Sequence, residues 1–189
     1  SLTVLAGLDN SGLILVGSTT GDPTLEVIGP VTLRSGGEIE ASGGNATVDF
    51  QNSQIGNDGK LLAANGGTLS VEFATVSNVA GGNIQALGGT VKIDHTSIDN
   101  TDGGANDGAL FADGNGSLMV LTDGTTVVGG TLSATGGGLI EIANGTNETN
   151  SNVTFDGSHT SGQAILAVTI AAGSEVQIAL DARALLEQD

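Results

Sequence analysis

Cysteine is absent from this 189-residue chain, which excludes a disulfide framework and thiol chemistry. Tryptophan and tyrosine are absent too, so the rings that most often anchor interfaces and sugar-stacking grooves come down to four phenylalanines. Basic residues are scarce: four Lys and Arg stand against 21 Asp and Glu, for a formal charge of −17. Neutralising phosphates needs a basic stripe, so nucleic acid is not an expected partner. An anionic membrane surface is disfavoured for the same reason. No apolar run approaches the roughly 20 residues of a membrane span, so no membrane insertion is expected. Ser1-Leu2-Thr3 reads as entering a strand directly, so no leader is expected here and the chain is expected to be a piece of a longer one.

What is plentiful is glycine, 32 residues of it, and it recurs with a period. The phrase Gly-x-(Ile/Leu)-x begins at Gly37, Gly59, Gly82, Gly108 and Gly130, in steps of 22, 23, 26 and 22 residues. A second set of alternating segments keeps the same rhythm, with central aliphatics at Val4, Val27, Val48, Val71, Ile93, Val120 and Ile142. A third, weaker one lies near Ile55, Val76, Ile98 and Val127. Short alternating segments rich in Val, Ile and Thr are strands, and glycine pairs such as Gly43-Gly44, Gly66-Gly67 and Gly88-Gly89 mark the bends.

Three strands and three bends in about 22 residues make one coil, which cannot bury its own inward side chains and must stack on the next. The expected fold is all-β: a single parallel β-helix, or β-solenoid, over residues 1–180. Its coils are irregular, without the strict hexapeptide rhythm of left-handed helices, so a right-handed one is favoured. Inward ladders are expected at Leu25/Ala46/Leu69/Val91/Leu118/Ile140 and Val27/Val48/Val71/Ile93/Val120/Ile142. Residues 181–189 switch to helix formers behind Asp181, a candidate N-cap, and are expected to form a short C-terminal helix or cap. Uncapped ends would invite end-to-end self-association.

The cadence Gly81-Gly82-Asn83-Ile84-Gln85-Ala86-Leu87-Gly88-Gly89-Thr90-Val91-Lys92-Ile93 is similar to parallel β-helix stretches of large repetitive bacterial exoproteins, adhesins among them. The resemblance spans residues 10–180 and implies a structural stalk or adhesive module, extracellular or at the cell surface, with a glycan or host-surface ligand as the partner class. It transfers no catalytic residue, and the chain is expected not to be an enzyme. The Gly-Gly-x-Gly-x-Asp series of calcium-binding β-rolls does not occur.

Function is then sought on the outer surface and in departures from the period. Asp49, Glu72 and Asp94 each follow a central aliphatic and are expected to stack as an acidic ladder. Like charges about 5 Å apart repel by about 1 kcal/mol in water, and such a column could attract Ca²⁺ or be no more than a solvated face. The insert Asp99–Gly108 lengthens its coil, and Asp99, Asp102 and Asp107 are candidate Ca²⁺ ligands there, although loop tips gather polar residues without function as well. Glu72 and Asp94 also meet the carboxylate spacing of a glycoside hydrolase, as any acidic ladder would. Phe50, Phe73 and His95 fall at similar places and read as a ring ladder inside the helix or under a corner. Thr24, Thr68 and Thr90 read as a threonine array broken at Ala46 and Ser117.

Overall fold

The computed structural model describes residues 1–17, 20–79, 81–101, 107–143 and 152–156 in full, and beyond them the backbone of the strands Thr169–Ile170, Val176–Ile178 and Arg183–Glu187. Every named element is a strand, and the strands form three parallel sheets that the chain visits in turn. Among the described residues, sheets A and B hold eight strands and sheet C seven. One coil near the middle runs Thr68–Glu72 in A, Thr75–Ser77 in B and Asn83–Leu87 in C. Thr90, 22 residues after Thr68, then lies in register with it. With rungs about 4.8 Å apart, the stack is a rod roughly 35–40 Å tall.

Alternation explains the core. In sheet C the inward residues are Ile39, Leu61, Ile84, Leu110 and Leu132 in one column and Ala41, Ala63, Ala86, Ala112 and Ala134 in the next, all buried. Sheet B contributes Val31, Ile55, Val76, Ile98, Val127 and Phe155, also buried. Sheet A stacks Leu25/Val48/Leu69/Val91/Met119/Ile140 and Val27/Phe50/Val71/Ile93/Leu121/Ile142. Two of the six expected rungs in sheet A are therefore corrected. In Ala46-x-Val48-x-Phe50 three alternating apolar residues fix the face but not the register, and Val48 sits where Ala46 was expected. In Leu118-Met119-Val120-Leu121 both alternations are apolar, and the pair that goes inward is Met119 and Leu121.

At Gly37, Gly59, Gly82 and Gly108 the glycine of the repeating phrase is required by a neighbour and not by its own backbone angle, whereas Gly130 also has a positive φ of 74°. A Cβ on Gly82 would lie 2.0 Å from the Asn57 carbonyl oxygen of the preceding coil, and one on Gly108 would lie 1.7 Å from that of Asn78. These carbonyls belong to a buried column of asparagines at the corner between sheets B and C. Asn57 Nδ2 donates to Asn78 Oδ1 at 2.6 Å, and Asn78 Nδ2 donates to Asn100 Oδ1 at 2.7 Å. Asn100 Nδ2 closes the chain on the Gly129 carbonyl at 3.2 Å. Asn57, Asn78 and Asn100 are fully buried, so each amide depends on its neighbours for hydrogen bonds.

The C-terminal segment differs from expectation. Arg183–Glu187 is not helix but a strand, paired in parallel with Asn152–Asp156 at the end of sheet B. Helix propensity amounts to a few tenths of a kcal/mol per residue here, and an edge strand offering a row of unpaired backbone groups outweighs it. Asp181 lies outside the described residues.

The amide column yields a stability prediction. Asn78→Leu removes the acceptor of one buried amide and the donor to another, and should cost about 2–6 kcal/mol at 1–3 kcal/mol per orphaned group. Urea unfolding followed by circular dichroism checks it; an unchanged midpoint would show that the column carries no weight.

Candidate functional site

The outer face of sheet A presents three columns of side chains. Thr24, Thr47, Thr68 and Thr90 stand in register in the first, so the threonine array is not broken at Ala46 but runs four rungs before meeting Leu118. Glu26, Asp49, Ser70 and Lys92 form the second. Gln51, Glu72, Asp94 and Thr122 form the third. The expected Asp49/Glu72/Asp94 ladder is therefore split across two columns: Glu72 and Asp94 are adjacent, whereas Asp49 stacks on Glu26. The same register shift that sets Phe50 between Val27 and Val71 moves Asp49 out of the ladder.

Each of these carboxylates is engaged by neighbours on its own face. Ser70 Oγ donates to Glu72 Oε1 at 2.8 Å, Thr122 Oγ1 to Asp94 Oδ1 at 2.8 Å, and Thr3 Oγ1 to Glu26 Oε2 at 3.0 Å. His95 Nδ1 lies 3.1 Å from the same Asp94 oxygen. Asp49 is the exception: Oδ2 accepts from Gln51 Nε2 at 2.7 Å, but Oδ1 is buried without a partner. Burial pushes the Asp49 carboxyl above the usual carboxylate range; the Gln51 hydrogen bond opposes this, and repulsion from Glu72 and Glu26 adds to it.

In the insert, Asp99 Oδ1 accepts from the backbone N–H and the hydroxyl of Thr101, at 2.9 and 2.5 Å, the geometry of a local Asx turn. Asp107 is half-buried on the far side of the insert, and Asp102 lies outside the described residues. Among the described residues no group of three His, Asp or Glu converges as a cation site would require.

The three rings also part company. Phe50 is buried in the core, in register with Val71. Phe73 and His95 occupy the corner between sheets A and B, outside the rod, stacked with centroids 4.8 Å apart and planes 21° from parallel. Their φ angles are 51° and 45°, a left-handed conformation that disfavours side chains this bulky, and Asn52 takes the same conformation one coil earlier at 49°. Phe73 is 55% exposed.

The asparagine column escaped sequence reasoning, although its signal is plain in retrospect. Asn57, Asn78 and Asn100 each fall two places after the aliphatic of the third strand, at Ile55, Val76 and Ile98. A polar residue recurring in phase with buried aliphatics, ahead of a glycine that cannot be replaced, marks a buried amide.

Comparison with known proteins adds little. No family model matches the chain, and no curated protein matches it. Among solved structures, a crystal structure of a TibC-catalysed hyper-glycosylated TibA fragment aligns at 14% identity over 97% of each chain, with a TM-score of 0.18. That distance carries no residue or property across; the fold stands on the strand pairing.

Two predictions follow from the carboxylates. Asp49 binds its proton more readily folded than unfolded, so its contribution is most favourable below pH 3.8 and declines as pH rises through the raised folded value. Asp49→Asn should therefore stabilise the protein at neutral pH by about 0.5 kcal/mol, since the group is partly solvated, and should leave stability unchanged near pH 3. Melting curves of both proteins at the two pH values decide it. As Glu26, Glu72 and Asp94 already have partners, melting in millimolar Ca²⁺ and in chelator should give the same temperature; a rise of several degrees with Ca²⁺ would establish a calcium site.

Proposed function

We propose that this chain is a stiff structural or adhesive module of a large extracellular or cell-surface bacterial protein, acting through repeat-built shape and surface and not through catalysis. The observation that carries this reading is the in-register stacking of three parallel sheets over an internal amide column. Along the described strands, inner rungs are tied to both neighbours, so length and stiffness grow with the number of repeats. The acidic composition, with a formal charge of −17, fits a surface that stays soluble and repels its own kind. The absence of cysteine leaves folding independent of the redox state of the compartment. Glu72 and Asp94, which an enzyme would use as its pair, each accept a hydrogen bond from a hydroxyl on the same outer face.

Antibody raised against the chain should label intact producing cells or their medium, and protease added outside should remove the signal. Retention of the signal in the cytosolic fraction of lysed cells, with none accessible outside, would overturn the surface assignment.

A further inference from the structure

The corner between sheets B and C changes length from coil to coil, and the change shapes the surface. Only Asp58 and Gly59 separate Asn57 from Lys60, whereas four residues separate Leu33 from Glu38 in the preceding coil and Asn78 from Asn83 in the following one. Both longer corners are closed by the same hydrogen bond, from Gly37 N–H to the Arg34 carbonyl at 2.7 Å and from Gly82 N–H to the Val79 carbonyl at 2.8 Å. In both, the third residue of the turn has positive φ, 79° at Gly36 and 86° at Gly81, a conformation that glycine takes without strain. Two matching turns thus stand two rungs apart on either side of a short corner. The recess between them has a volume of about 400 Å³.

The recess is polar and holds groups of both hydrogen-bonding kinds. Its floor is Asp58, Gly59 and Lys60, and its walls include Ser35, Gly36, Gly81 and Asn83. Lys60 Nζ donates to Glu38 Oε2 at 3.1 Å, both side chains remaining partly exposed and able to take a further partner. Asn83 Nδ2 donates to the Gly81 carbonyl at 2.9 Å, which leaves the amide oxygen as an acceptor. The glycines let a ligand approach the backbone closely.

These features select among ligands. Walls two rungs apart are about 9–10 Å from centre to centre, which leaves room for something one ring thick. An extended peptide finds no free ladder, because Lys60 N–H is bonded to the Gly37 carbonyl and Asn83 N–H to the Gly59 carbonyl. Phosphates and other polyanions are opposed by Asp58 and Glu38. A neutral sugar ring suits the site, since its hydroxyls donate to carboxylates and accept from an ammonium within one small area. We propose that this recess binds a single residue of an uncharged glycan. The inference rests on the reading of the chain as a surface module and names a ligand class for it.

The test is a titration of the whole isotope-labelled chain, followed by amide NMR, with the methyl glycosides of glucose, galactose, mannose and N-acetylglucosamine. At least one should shift the amides of Gly36, Gly59, Lys60 and Gly81 with millimolar affinity. Asp58→Ala, at an exposed position, should keep the melting temperature and weaken that binding about tenfold, as loss of one charge-assisted hydrogen bond predicts. Lys60→Met should weaken it similarly, while Thr32→Ala on sheet B should leave it unchanged. No shift at these amides with any of the glycosides, or shifts that persist unaltered in both recess variants, would overturn the site. The two readings fail separately: silent amides remove the glycan site and leave surface location standing, whereas a cytosolic location removes the module's role whatever the amides do.

Discussion

Along the described strands each side chain sits directly above its counterpart one coil earlier, at the single spacing that a parallel backbone ladder permits. That constraint sorts residues by whether they tolerate their own kind as a neighbour. Aliphatic side chains do, and the interior is accordingly a set of aliphatic columns. Amides do as well, because each has both a donor and an acceptor, and Asn57, Asn78 and Asn100 can pass a hydrogen bond from coil to coil out of contact with water. Carboxylates do not, since they only accept and repel one another. The outer face of sheet A shows how the conflict is handled: acids are interleaved or partnered with Ser70, Gln51 and Thr122. Asp49 is where the arrangement falls short, with one oxygen buried and unpartnered and its proton held more tightly than usual.

The same constraint decided what could be read from sequence. The period, the three strands per coil and the parallel stacking were all legible, because glycine spacing and alternation are local features repeated many times. Exact register was less so. Alternation distinguishes inside from outside but is blind to a shift of two, which displaced Ala46 and Val48, and it is silent where four apolar residues run together, as at Leu118–Leu121. The error then propagated to the surface: a ladder assigned through Val48 placed Asp49 beside Glu72, whereas pairing through Phe50 places it beside Ser70 and Glu26. Register in this fold is fixed by how coils of unequal length close at their corners, a property of neighbouring coils jointly. At the C-terminal end, residues 183–187 carried a helical preference that the waiting edge of sheet B outweighed.

The corners differ in what they can vary. Between sheets A and B the corner is two residues long in three successive coils, Asn52-Ser53, Phe73-Ala74 and His95-Thr96, and its first residue is left-handed in each. Where that corner is held at two residues, variation shows as residue identity: asparagine, then two stacked rings whose backbone strain, of order 1 kcal/mol each, the tightly bonded flanking strands sustain. Between sheets B and C the inner side is pinned by the amide column and by glycines that have no room for a side chain. Extra residues can then only project outward, leaving the core undisturbed. The turns at Gly36 and Gly81 are such projections. The pinned inner side, where Leu33 stands in the place that Asn57 fills one coil later, thus lets the overlying turn change length between neighbouring coils without disturbing the core.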